Sequence, residues 1–111
     1  MALGDDALRA ELARIRAELD ALDSELIHTI KRRLDLGIEA ASVKSKLGIP
    51  MHDPEREERA VRQAADWARS FDLPVAQVEE IFRRLIALSR DLQIELRGGE
   101  RKKTDSTDFN G

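Results

Sequence analysis

The sequence predicts an all-α chain, a three-helix subunit with one very long N-terminal helix, which pairs with a second copy as an intertwined helical homodimer. Three observations carry this. Charged residues make up 37% and aromatic residues 4% of the 111 residues, a mixture rich in Ala, Leu, Glu and Arg that favours long helices over sheets. The prolines, Pro50, Pro54 and Pro74, cut the chain into three stretches. In the first stretch Leu8, Leu12, Ile15, Leu19, Leu22 and Leu26 recur at alternating intervals of four and three, a heptad-like stripe.

The first helix is expected from about Asp5 to about Lys46, with no proline and with Gly37 as its only interior glycine. Leu47 to His52 reads as a loop in which Gly48 ends the helix. The second helix opens at Asp53, a good N-cap, with Pro54 at the first helical position, where its missing N–H is not needed. It runs to about Phe71, with Val61, Ala64, Ala68 and Phe71 as its expected inner face. The third runs from about Pro74 to about Arg97. Its stripe is Val78, Phe82, Leu85, Ser89, Leu92 and Leu96, widened by Ile81, Ile86 and Gln93. Residues 1–97 form one domain in this reading. Residues 98–111, after Gly98-Gly99, are polar and aperiodic and are expected to be a disordered tail.

A helix of about 40 residues spans roughly 60 Å, whereas a domain of about 100 residues has a radius of gyration of about 13 Å. Such a helix cannot bury its N-terminal stripe within its own subunit, and a second copy in a symmetric dimer is the economical cover. A helical hairpin with a frayed arm is the other arrangement that periodicity allows.

Composition also bounds function. The net charge of −3 supplies no basic field for nucleic acid. The absence of cysteine removes disulfides, thiol nucleophiles and thiolate metal sites, and fits a reducing cytoplasm. The N-terminal residues lack the basic and apolar regions of a signal peptide, and no apolar run approaches the roughly 20 residues of a membrane span. His28 and His52 are isolated and outside any HExxH arrangement, so neither metal nor cofactor is expected.

The informative residues interrupt the apolar stripes. The heptad count continued past Leu26 reaches Thr29, Arg33, Leu36 and Ala40, so Arg33 stands where leucine is expected. Lys44, eleven residues on, returns to nearly the same side of the helix, about 16 Å along its axis. Two long cations there either converge on an anion, since unpaired burial is costly, or snorkel to solvent. Arg16 is about 100° out of phase with Arg33 and in an antiparallel dimer faces the partner's pocket; taken alone it belongs to a charged helix face. Asp53 and Glu57 share a face, either as a cap with a solvated turn or with Glu57 inward as an acceptor. Ser89 and Gln93, four apart on an apolar stripe, are either an interhelical register device or ligand-binding groups; an inward amide without partners costs about 1–3 kcal/mol.

Together these positions resemble the all-helical class of chorismate mutases over about Leu8 to Gln93. The first helix, from Arg16 to Lys44, reads RAELDALDSELIHTIKRRLDLGIEAASVK; the second opens DPERE; the third carries SRDLQ. These are similar to the family's Arg, Leu-Asp-x-x-Asp, Arg and Lys series, its Asp-x-x-Arg-Glu and its Ser-x-x-x-Gln. The resemblance implies a dimer of three-helix subunits with two pockets. Arg16 would come from one subunit and Arg33, Lys44, Asp53, Glu57, Ser89 and Gln93 from the other. It departs at His52, where some members carry Arg; at Arg90, where some carry a Val-like residue; and at Ala40, which is smaller than usual.

The implied reaction is the [3,3] rearrangement of chorismate to prephenate, an isomerisation within one molecule. The resemblance implies that Arg33 and the partner's Arg16 clamp the carboxylates and that Ser89 adds a hydrogen bond. Lys44 and Gln93 would stabilise charge on the ether oxygen. Glu57 would accept from the ring hydroxyl beside the Asp53 amide. Other readings are a 4-amino-4-deoxychorismate mutase, which RRLDLGIEAASVKSKLGIPM partly resembles; an isochorismate pyruvate-lyase on the same fold; or a non-catalytic helical dimerisation module.

Overall fold

The computed structural model describes residues 2–110 along the backbone and the side chains of residues 4–96. It contains three helices in order, α1 (Ala2–Leu47), α2 (Pro54–Ser70) and α3 (Val75–Asn110), with no strand among the described residues. The chain divides into two units, Met1–Arg33 and Leu34–Gly111.

The first unit is the N-terminal part of α1. The stripe expected to be its sticky face is bare in the single chain: Leu8, Leu12, Ile15, Leu19, Leu22 and Leu26 are all exposed, Ile15 least at 39%. Two polar side chains here are satisfied by their own helix. The Thr29 hydroxyl donates to the Glu25 carbonyl at 3.0 Å. His28 Nδ1 lies 2.7 Å from the Ser24 carbonyl, and since a carbonyl only accepts, the ring nitrogen carries the proton.

In the second unit the helix ends follow local chemistry. Gly48 sits at φ 71°, its N–H donates to the Ser45 carbonyl at 3.2 Å, and the Ile49 N–H donates to the Lys44 carbonyl at 2.9 Å. This is a Schellman motif closing α1. Asp53 caps α2, its carboxylate accepting the Arg56 N–H at 3.1 Å, with Pro54 first in the helix. The end of α2 repeats the Schellman pattern without glycine. Asp72 takes φ 54°, while Asp72 and Leu73 donate to the Arg69 and Ala68 carbonyls at 3.3 and 2.8 Å. Aspartate tolerates this left-handed conformation better than most residues.

The buried apolar core is Val61, Ala64, Ala65 and Ala68 of α2, which faces α3. Phe71, expected in that core, is 75% exposed. It is the C-cap residue of α2, so the backbone leaves the helical phase before its side chain can turn inward. On α3, Val78, Phe82, Leu85, Ile86, Leu92 and Gln93 are half-buried and Ser89 is buried, whereas Ile81 and Leu96 are exposed, so the stripe is narrower and ends earlier than expected. Helical backbone continues past Gly98-Gly99 to Asn110 instead of ending near Arg97. Two glycines weaken a helix by about 1 kcal/mol each relative to alanine but do not block it. The tail's side chains lie outside the described residues, and the expectation of disorder over 98–111 falls there.

The helices α2 and α3 are also clasped on the surface. Arg83 donates to both carboxylate oxygens of Glu58, at 2.6 and 3.3 Å. The Arg83 hydrogen bond holds the Glu58 carboxyl below its ordinary range, and the Glu58 carboxylate raises Arg83. A carboxyl whose pKa is lower in the folded state adds stability above its unfolded pKa and loses it as pH falls through the folded one. Thermal melts between pH 6 and pH 3 should therefore show a loss of stability below the ordinary glutamate range that is smaller in Glu58→Gln; identical pH slopes would remove the clasp from the account. The effect is modest because both groups are exposed.

Candidate active site

The polar positions singled out in the sequence divide by burial. Arg16, in the first unit, is exposed. Arg33, Lys44, Asp53, Glu57 and Gln93 are half-buried and Ser89 is buried. In the second unit, two clusters form.

The first cluster lies where α1 meets α3. The Gln93 amide donates to the Ser89 hydroxyl at 3.0 Å. That leaves the hydroxyl proton of Ser89 available to an acceptor. Both side chains lie against Gly37 of α1: a Cβ there would sit 2.6 Å from Ser89 Oγ and 3.2 Å from Gln93 Nε2. The glycine is what allows a polar pair to occupy the space between two helices. Adjacent is a cavity of about 220 Å³ lined by Ile38, Ala41, Ser42, Ser45 and Lys46 of α1, Met51 of the loop, and Gln93 and Leu96 of α3. Of the seven sequence candidates, Gln93 borders this cavity; Lys44 is not among its lining residues.

The second cluster surrounds Glu57. Glu57 stands four residues before Val61 and so continues the buried face of α2 (57, 61, 64, 68). Its Oε1 lies 3.1 Å from Arg90 Nε, and its Oε2 lies 3.6 Å from His52 Nε2. Asp53 caps the same helix one turn earlier. Because Arg90 directly follows Ser89, α3 contributes to both clusters, Ser89 and Gln93 to the first and Arg90 to the second. Among the described residues no group of three or more His, Asp or Glu is placed to hold a metal ion, and no helix is long and apolar enough to cross a membrane.

Residues 15–94 match the profile of the family described as chorismate mutase type II. The chain belongs to the chorismate mutase type II family. Its relatives include a 4-amino-4-deoxychorismate mutase of Streptomyces venezuelae, 53% identical over 60 residues that make up 50% of this chain and 58% of that protein. The T-protein of Enterobacter agglomerans is 32% identical over 77 residues, 69% of this chain but 21% of that one. A chorismate mutase of Methanocaldococcus jannaschii is 31% identical over 83 residues, 75% of this chain and 84% of that one. The chain thus spans little more than half of the first of these relatives and about a fifth of the second.

Sequence reasoning named neither Gly37 nor the partners of Glu57 as site residues. Gly37 had a signal: a lone glycine inside a long helix costs about 1 kcal/mol relative to alanine and calls for a packing reason. Gly37→Ala tests that reason. Helix propensity favours the alanine, while its methyl displaces Ser89 Oγ, so the melting free energy should change by less than about 1 kcal/mol. A crystal structure of the variant should show the Ser89–Gln93 hydrogen bond broken; an intact bond would show that the close approach is incidental.

Proposed function

We propose that the protein is an isomerase that rearranges chorismate to prephenate. The observation that carries this reading is that the family match over residues 15–94 encloses all seven polar positions, from Arg16 to Gln93. The geometry supports it: six of the seven are recessed from solvent, and Ser89 with Gln93 offers hydrogen-bond donors beside a cavity.

The rearrangement breaks one C–O bond and forms one C–C bond within a single molecule. The protein's task is to hold the enolpyruvyl arm over the ring and to stabilise negative charge growing on the ether oxygen as its bond lengthens. In this reading the planar guanidinium of Arg33 binds a carboxylate, helped by Ser89. Lys44 and Gln93 donate to the ether oxygen. Glu57 accepts from the ring hydroxyl, and the helix start at Asp53 adds a backbone donor. Gln93 is a neutral amide, so the donor it supplies does not depend on acidic pH.

Arg16 fits the same scheme when it is supplied by a second copy. The exposed stripe from Leu8 to Leu26 supports a homodimer through the first unit, and Arg16 lies within that stretch. A cytoplasmic location suits an enzyme of this kind without cysteines.

A second reading keeps the chemistry and changes one substituent. The 53% identity to the Streptomyces protein favours 4-amino-4-deoxychorismate as substrate.

Two experiments test these assignments. Purified protein should consume chorismate, with prephenate identified by acid conversion to phenylpyruvate. Removing a donor to the developing charge costs about 3–4 kcal/mol of barrier, so Lys44→Ala should turn over at least about 100-fold more slowly. Near-normal turnover would reject the role of Lys44. For the dimer, Arg16→Ala and Lys44→Ala chains should each be nearly inactive alone. Co-expressed, they should recover activity, because each mixed dimer rebuilds one intact pocket from Arg16 of one chain and Lys44 of the other. Failure to recover, with mixed dimers verified by native mass spectrometry, would place Arg16 outside the partner's pocket.

A further inference from the structure

Ser89 and Gln93 are joined in a way that the roles proposed above leave unused. In that reading each acts alone, Ser89 on a carboxylate and Gln93 on the ether oxygen. In the structure Gln93 Nε2 donates to Ser89 Oγ at 3.0 Å. Ser89 is buried. Both groups rest against the bare backbone of Gly37, where a Cβ would come within 2.6 Å of Oγ and 3.2 Å of Nε2. Gln93 also borders the cavity of about 220 Å³. One hydrogen bond thus links a buried hydroxyl to the amide at the cavity wall.

A glutamine amide carries a donor on one side and an acceptor on the other, and a half-turn of its last torsion exchanges them. Only the donor serves an oxygen that gains negative charge. A serine hydroxyl by itself does not select between the two, because it donates to an oxygen as readily as it accepts from an N–H. A carboxylate bound at Ser89 removes that freedom. It takes the hydroxyl's one proton, so Ser89 has only lone pairs left for Gln93, and Nε2 must face it. The second N–H of the amide is then left for the ether oxygen. Nε2 already lies on Ser89 in the structure, so the chain from amide to hydroxyl to carboxylate forms without a turn of the amide. Each hydrogen bond in such a chain strengthens the next.

We propose that Ser89 is a positioning residue for Gln93: donating to a substrate carboxylate, it accepts from the Gln93 amide and so fixes which way that amide faces. Gly37 is the spacer that lets hydroxyl and amide meet between the helices. This rests on the mutase reading and deepens it, joining carboxylate binding to stabilisation of the ether oxygen through one hydroxyl.

The test is a double-mutant cycle in the full chain with Ser89→Ala and Gln93→Met, the second of which keeps length but removes both N–H groups. The parameters kcat and KM are measured on whichever of chorismate and 4-amino-4-deoxychorismate the wild type turns over. Gln93→Met should lower kcat by about 100-fold or more. Ser89→Ala should lower kcat by about tenfold, the scale of one hydrogen bond, but by less than about twofold once Gln93 is already replaced. A contact to the carboxylate alone raises KM and leaves kcat unchanged. That pattern, or effects on kcat that simply multiply, overturns the proposal. Gly37→Ala, whose methyl displaces Oγ, should lower kcat as Ser89→Ala does. It should be nearly silent in the Ser89→Ala background, where Oγ is gone and the Cβ of residue 89 lies at an ordinary 3.9 Å; a further loss there overturns the part given to Gly37. Circular dichroism checks helical content, and if Ser89→Ala fails to fold, the cycle of Gly37→Ala with Gln93→Met decides in its place. Independently of turnover, NMR spectra of the Gln93 side-chain amide should show its resonances shifted and its protons exchanging faster with water in Ser89→Ala. Wild-type protein that turns over neither compound removes the mutase reading. The amide resonances then decide whether Ser89 holds Gln93, and unmoved resonances overturn that role too.

Discussion

The recessed part of this molecule depends on how little bulk α2 presents to α3. Its buried face is Val61 and three alanines, and small side chains let helices pack at the short end of the roughly 8–10 Å interaxial range. Polar side chains on the margins of the contact meet directly. Glu57 at the start of α2 reaches Arg90 late in α3, and Glu58 reaches Arg83, as two antiparallel helices require. Gly37 extends the same economy to α1, where the absence of a Cβ leaves space for Ser89 and Gln93. Bulky residues at these points would push the helices apart and leave the polar groups with water as their only partner.

A core of small residues carries a cost in stability. Burying a large aliphatic side chain stabilises by about 1.5–3 kcal/mol, and among the described residues Val61 is the one such side chain that is fully buried. The apolar surface remains outside, above all along the first unit of α1. Each stripe residue from Leu8 to Leu26 is roughly half exposed, so covering one stabilises by about 1 kcal/mol. In a pair of chains the two stripes together contribute on the order of 10 kcal/mol, comparable to the roughly 4–15 kcal/mol that association costs. The stripe alone brings dimerisation to balance. Apolar residues off the stripe, such as Ile27 and Leu36, both exposed, are available to tip it. In the proposed dimer the same event would deliver Arg16, so stability and a complete site would be gained together.

Much of this was legible in the sequence because it is local or periodic. Asp53-Pro54 and Gly48 announce helix ends through backbone chemistry confined to a few residues, and the structure places caps there. Arg33, Ser89 and Gln93 stood out because they break a stripe. What was not legible depends on geometry over longer range. Phe71 has the right period for the core but lies at the residue where α2 stops being a helix. Asp72 closes that helix in a conformation usually assigned to glycine. His52 is in a loop and Arg90 is far along the chain; only the packing of α2 on α3 brings Arg90 to Glu57. The sequence marked both as departures from a family pattern, without showing that they meet at one carboxylate.

That meeting bears on how family membership relates to substrate. The two candidate substrates differ at one ring position, and in the proposed scheme the clamp, the ether-oxygen donors and the helical frame would serve both equally. High identity over 60 residues with the Streptomyces protein therefore favours the amino compound only through the frame as a whole. Discrimination has to come from groups within hydrogen-bond reach of that single substituent. A site that hydrogen-bonds a hydroxyl rejects analogues through the polar groups left unpaired, and such penalties exceed those of shape alone. In the proposed scheme the groups nearest that point are Arg90 and His52, at 3.1 and 3.6 Å from the Glu57 carboxylate oxygens.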